Sequence, residues 1–133
     1  MTRSSTTKSF KIPASLEFEM NKKLVSDGYG LRGKSKWICD SICKFLTFQD
    51  KEFVLECIEF SEELENLTKS ISFRPTTLVD RLLDEWIVNV RMKMPTIEGL
   101  KSKIIRTAII HNLLGSIDSI ERLNFQKTAD KIA

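Results

Sequence analysis

Gly28-Tyr29-Gly30-Leu31-Arg32-Gly33-Lys34-Ser35 matches the spacing G-x-x-x-x-G-K-[ST]. In a phosphate-binding loop of that spacing, backbone amides cradle a phosphate chain, the lysine reaches its far phosphates and the hydroxyl binds magnesium. That chemistry needs a buried strand before the loop and a later apolar strand ending in an aspartate. Here an amphipathic helical pattern containing Asn21, Lys22 and Lys23 precedes Gly28, and the chain lacks the strand–helix alternation of a parallel sheet. Nucleotide binding is therefore not expected. Cys39 and Cys43 are four apart, a spacing that can hold a metal on one helix face. The only histidine, His111, is distant in sequence, so the three cysteines (Cys57 is the third) are expected to be buried thiols, with no metal site. No Ser/His/Asp arrangement or carboxylate pair accompanies His111. Neither an enzyme nor a cofactor is expected.

What repeats is the end of that loop, not its glycines. Lys34-Ser35-Lys36 opens an apolar run with Trp37, Ile38, Ile42, Phe45 and Leu46. Lys101-Ser102-Lys103 opens another with Ile104, Ile105, Ile109, Leu113 and Leu114. The second copy follows Met94-Pro95-Thr96-Ile97-Glu98-Gly99-Leu100, which lacks the glycine pattern. The shared element is thus a helix start, with Ser35 and Ser102 as expected N-caps.

Upstream of each copy lies a short alternating segment that ends at a proline. These are Ser9-Phe10-Lys11-Ile12-Pro13 and Ser70-Ile71-Ser72-Phe73-Arg74-Pro75. Period-two alternation predicts half-buried strands with Phe10, Ile12, Ile71 and Phe73 inward. Each proline stops its strand, and an amphipathic helix is expected to follow. The first carries Leu16, Met20 and Leu24 and ends at Asp27-Gly28. The second carries Leu78, Leu82, Trp86 and Val90 and ends at Pro95. The prolines are 62 positions apart (75 − 13) and the Lys-Ser-Lys triplets 67 apart (101 − 34), a weak internal repeat with five residues added in its second copy. Four segments result: a unit over 1–46, an acidic amphipathic helix within 47–68, a second unit over 69–115, and a helical tail over 116–133 with Ile117, Ile120 and Leu123. The acidic helix is expected over Gln49–Leu67, its apolar face carrying Phe53, Val54, Cys57, Ile58, Ser61, Leu64 and Leu67.

Charge follows the same division. Residues 1–46 carry nine Lys/Arg against four Asp/Glu, residues 47–68 one against seven, and residues 69–133 eleven against seven, which returns the net +3. Two basic units around an acidic helix suggest a polyanionic partner. No apolar run approaches the roughly 20 residues that span a bilayer, and Met1–Lys8 lacks a secretory apolar core. A cytoplasmic protein with no membrane contact is expected.

Strand, helix, turn and helix, twice in order, resembles the ribbon-helix-helix family of DNA-binding proteins. The single-chain tandem resembles the TraY-type accessory proteins of conjugative plasmids. The resemblance implies a mainly α fold in which the two units share one core as a pseudo-dimer, with a two-stranded antiparallel ribbon. A lone strand with two helices cannot bury its apolar face, whereas two units can. It further implies double-stranded DNA as partner, the ribbon in the major groove, and a bacterial, nucleoid- or plasmid-associated setting. Outward Thr7, Ser9, Lys11, Ser70, Ser72 and Arg74 would then meet base edges. Lys34, Ser35, Lys36, Lys101, Ser102 and Lys103 at the helix starts would hold phosphates.

The functions compatible with this pattern are a transcriptional regulator and, with the same ribbon, a relaxosome accessory protein at a transfer origin. A protein–protein module such as an antitoxin, docking through the acidic helix, is the alternative of another class. Assembly of several copies on DNA fits any DNA-binding role. His111 is expected to be an ordinary helix-face residue.

Overall fold

The computed structural model describes residues 7–60, 67–96 and 98–114. The chain runs β1 (Lys8–Ile12), α1 (Ala14–Ser26), a 3-10 turn (Leu31–Gly33), α2 (Lys34–Phe48), α3 (Lys51–Phe60), β2 (Lys69–Phe73), α4 (Thr77–Lys93) and α5 (Leu100–Leu114). It is mainly helical with one two-stranded antiparallel sheet. No described helix is long and apolar enough to cross a membrane. Residues 1–6, Ser61 and Leu64 of the acidic pattern, and Ile117, Ile120 and Leu123 of the tail lie outside the described residues.

The sheet joins the two halves of the chain. Lys8 lies opposite Phe73, Ser9 opposite Ser72, Phe10 opposite Ile71, Lys11 opposite Ser70 and Ile12 opposite Lys69. Phe10, Ile12, Ile71 and Phe73 are buried, and the residues between them face solvent. The Phe10 and Phe73 rings meet edge to face at 5.8 Å, a diagonal pair worth about 0.5–1.5 kcal/mol beyond its buried area. A two-stranded ribbon is marginal alone. Here α5 packs under β1 and α2 under β2, so each strand rests on a helix from the other half of the chain.

The core centres on α5. Leu100, Ile104, Ile105, Ala108 and Ile109 are buried, and so are the polar Lys103, Arg106, Thr107 and His111. A helix enclosed nearly all round touches α1, α2, α3, α4 and β1. Trp37, Ile38, Ile42 and Phe45 of α2 form its main partner face.

Three local expectations need correction. Leu78 is 45% exposed, and the buried stripe of α4 is Val79, Leu83, Trp86 and Val90. Steps of four alone drift about 40° each around a helix with 3.6 residues per turn; steps of four, three and four stay on one face. The N-cap of α4 is Thr76, whose hydroxyl accepts from Val79 N–H at 3.2 Å. Leu67 lies outside any helix, so the acidic element as described is Lys51–Phe60, with Val54, Leu55, Cys57 and Ile58 inward. Ser35 and Ser102 are not N-caps: α2 begins at Lys34 after Gly33, and α5 at Leu100.

Candidate nucleic-acid interface

The outer face of the ribbon gathers the residues that alternation assigned to it. Thr7, Ser9, Lys11, Ser70, Ser72 and Arg74 are all exposed. In the observed register Lys11 stands beside Ser70 and Ser9 beside Ser72. One step beyond the Lys8–Phe73 pair, Thr7 and Arg74 share the opposite end. Lys11 and Arg74 therefore mark the two ends of the face, four residues apart along the ladder. At about 3.4 Å per residue that is roughly 13 Å, the rise of about four base pairs. Neither strand contains a carboxylate, and neither cation forms an ion pair among the described residues.

The two central hydroxyls are not free agents. Ser9 Oγ and Ser72 Oγ lie 3.0 Å apart and share a hydrogen bond across the ribbon. Together they keep one O–H donor and three acceptor lone pairs for partners on the solvent side. Sequence alternation placed both outward but gave no register, and so did not reveal that they are neighbours. It also missed Lys8 and Lys69, which terminate the two strands in equivalent settings, half-buried and exposed respectively. The signal was present: Lys8-Ser9-Phe10 and Lys69-Ser70-Ile71 read alike.

Both strands are pinned from beneath. Ser35 Oγ accepts from the Arg74 backbone N–H at 3.1 Å, and Cys39 Sγ donates to the Arg74 carbonyl at 3.6 Å. At the other end Arg106 Nη1 donates to the Lys11 carbonyl at 3.1 Å. Arg106 is 8% exposed. Burial pushes its pKa down, yet a guanidinium remains charged at neutral pH.

The six residues assigned to phosphates divide unevenly. Lys36 is exposed and Lys34 half-buried beside the first turn of α2. That helix end has no side-chain cap and follows the 3-10 turn directly, and its dipole is positive there, which favours an anion. Ser35 is already engaged with Arg74. On α5, Lys101 Nζ lies 3.8 Å from Asp84 Oδ1 of α4, so a carboxylate stands near that helix start. Ser102 is half-buried, and Lys103 is buried with 6% exposure, against its expected place on the surface. The cause is that α5 is central from its first turn, so its Lys-Ser-Lys is partly enclosed where that of α2 is not.

The glycine loop before α2 is a turn knitted to that helix. Gly28 and Gly30 adopt φ of 86° and 71°, which glycine tolerates without strain. The Tyr29 hydroxyl donates to Asp40 Oδ2 at 2.6 Å, and Trp37 Nε1 donates to Asp27 Oδ2 at 3.1 Å. Desolvation would raise the Asp27 carboxyl, but the hydrogen bonds from Trp37 and Lys23 outweigh it and hold the pKa below its usual value. The loop is preceded by α1 and not by a strand.

Elsewhere the chemistry-bearing residues are structural in their surroundings. The His111 ring packs against Phe45 at 5.1 Å and Phe53 at 5.7 Å, and burial lowers its pKa. Cys39 and Cys57 are buried and Cys43 half-buried, all as free thiols. Burial pushes the Cys57 thiol up to about 11. Among the described residues no three His, Cys, Asp or Glu side chains cluster as metal ligands. An apolar cavity of about 520 Å³ lies between α1 and the end of α5, against Leu16, Ile110, Leu113 and Leu114.

Comparison of the chain with protein-family models, with curated proteins and with solved structures returns no match.

Proposed function

We propose that this chain is a sequence-specific double-stranded DNA-binding protein, acting as a transcriptional regulator. In this reading its two halves are ribbon-helix-helix units that pair as a pseudo-dimer and insert the β1–β2 ribbon into the major groove. The observation that carries it is the ribbon's outer face: four hydroxyls, a lysine at one end and an arginine at the other, no carboxylate, on a strand pair held by a buried core. A two-stranded ribbon fits the major groove, where each base pair presents a distinct donor and acceptor pattern.

The register supports two related units. Exchanging the strands about the Ser9–Ser72 pair brings inward Phe10 onto inward Phe73 and Lys11 onto Arg74, with an offset of 63 (72 − 9). The second helices pack on each other and each reaches under the other unit's strand, as interlocked units would. The first residues of α1 and α4, Ala14 and Thr77, are separated by the same 63 positions. The counterpart of Lys11 is then Arg74, and that of Thr7 is Ser70. One half-site meets Thr-Ser-Lys and the other Ser-Ser-Arg, and the preferred DNA site is asymmetric.

On this reading the uncapped start of α2, with Lys34 and Lys36, grips phosphate more strongly than the start of α5, where Asp84 competes. Helix α3 acts as a strap: its apolar side lies on the core and Glu52, Glu56 and Glu59 face water. Catalysis, cofactor and metal have no part in it.

Selection of bound sites from a random duplex pool tests the proposal, with affinity then measured against salt. Recovery of a defined, asymmetric motif with a steep salt dependence is expected. Recovery of perfect inverted repeats only, or no enrichment at all, would count against the single-chain ribbon. Mapping the motif to promoters or to a transfer origin separates transcriptional regulation from a relaxosome role.

A further inference from the structure

Arg106 is the least economical residue in the core. It sits on α5 with 8% exposure. Its Nε is buried without a partner, and no carboxylate pairs with it among the described residues. A guanidinium enclosed in that way is destabilising unless it makes a contact that an apolar side chain cannot. The contact it makes is the 3.1 Å bond from Nη1 to the Lys11 carbonyl. In a two-stranded sheet every strand is an edge strand, and the carbonyls on its open side need partners from elsewhere. At the other end of the ribbon a neutral group does this, Cys39 Sγ donating to the Arg74 carbonyl, while Ser35 Oγ accepts from the Arg74 N–H. Counting from the Lys-Ser-Lys triplets, Cys39 and Arg106 occupy the same position of the two helices (39 + 67 = 106).

We propose that Arg106 is the positioning residue for Lys11: its buried guanidinium grips the Lys11 carbonyl and fixes the end of β1 on α5, so that the Lys11 ammonium is presented from a rigid strand. This rests on the reading of the ribbon's outer face as the DNA-contacting surface. Arg106 touches no DNA itself. It acts through the backbone of the residue that does.

The test is a double-mutant cycle between positions 11 and 106. Affinities are measured for the duplex selected by the wild-type chain and for the same duplex with its motif scrambled. Thermal unfolding of every variant is recorded alongside. Lys11→Ala is expected to weaken binding to the selected duplex by about ten- to a hundredfold, the cost of one good base contact. Arg106→Met is expected to produce most of that loss while binding to the scrambled duplex changes less than about threefold, and to add little in the Lys11→Ala background. Arg106→Gln keeps an N–H donor without the charge and is expected to recover at least half of the lost discrimination. It decides the matter also where Arg106→Met fails to fold. The proposal is overturned where folded Arg106→Met discriminates like the wild type, where its effect adds in full to that of Lys11→Ala, or where Arg106→Gln behaves like Arg106→Met. Failure of the wild-type chain to distinguish the two duplexes has a different meaning: it removes the DNA reading itself, before any variant is compared.

Discussion

Ser9 and Ser72, 63 residues apart in sequence, share a hydrogen bond across the exposed face of the ribbon, oxygen to oxygen at 3.0 Å. The bond links two strands drawn from opposite halves of the chain, whose register is set by their buried face, and orients two of the hydroxyls proposed to meet base edges. Both oxygens remain in water, so replacing either serine leaves no buried group unsatisfied. Ser9→Ala and Ser72→Ala are each expected to change stability by no more than about 0.5 kcal/mol. On the selected duplex the two changes are expected to be non-additive, because each hydroxyl orients the other. Additive losses in affinity would show that the pair does not act as a unit.

On the proposed reading Lys11 and Arg74 would read bases, and Lys8 and Lys69 would add phosphate contacts to those of the helix starts. Lys11 and Arg74 mark the ends of the outer face, whereas Lys8 and Lys69 terminate the strands on the side of the apolar residues. Lys11→Ala with Arg74→Ala is expected to abolish discrimination between selected and scrambled duplexes while the fold persists. Lys8→Ala with Lys69→Ala is expected to weaken both duplexes alike and to flatten the salt dependence, by about 0.9 in slope for each phosphate that is no longer neutralised. Titrations of both double variants at several salt concentrations decide it. Surviving discrimination in the first removes Lys11 and Arg74 from the reading surface.

The strands and the order of elements were legible in the sequence, because period-two alternation of Phe10 with Ile12 and of Ile71 with Phe73 has few other solutions. Their register was not. Alignment on Pro13 and Pro75 gives an offset of 62, which sets inward Phe10 on outward Ser72, whereas the observed antiparallel ladder pairs Phe10 with Ile71 and Ser9 with Ser72. A proline marks where a strand must end, not which residue faces which. The burial of Lys103 and Arg106 was hidden for a related reason. Local pattern shows that a helix has an apolar face, but not that five neighbouring elements will enclose it. The uneven helix starts follow from the same fact, since α5 is central and α2 is not.

Unlike outward residues on the two strands set the symmetry of the preferred site. With Arg74 as the counterpart of Lys11 and Ser70 that of Thr7, Ser70→Thr with Arg74→Lys makes the outward residues of both strands Thr-Ser-Lys. The variant chain is expected to select a site closer to an inverted repeat than the wild type does, with the change confined to the half-site under β2. Sequencing of the pools selected by the two proteins measures it. An unchanged motif would place positions 70 and 74 away from the bases.

The hydroxyl of Tyr29, the only tyrosine in the chain, donates to Asp40 at 2.6 Å and ties the glycine turn to α2. That hydrogen bond, helped by burial and by the charges of Asp40 and Asp27, raises the phenol from 10.0 to about 12. The proton is held more tightly in the folded chain than in the unfolded one. The corresponding stabilisation is therefore complete below pH 10 and is lost as pH rises toward 12. Phenolate absorbance of the native protein is expected to appear well above pH 10, and that of the urea-unfolded chain near it. Asp40→Asn removes the charged acceptor and is expected to bring the native titration down toward the unfolded one. It should also lower thermal stability at pH 8 more than at pH 11, where the unfolded phenol has already ionised and much of the contribution is gone. A native phenol that titrates at its ordinary value would mean that the Tyr29–Asp40 bond does not hold the turn in solution.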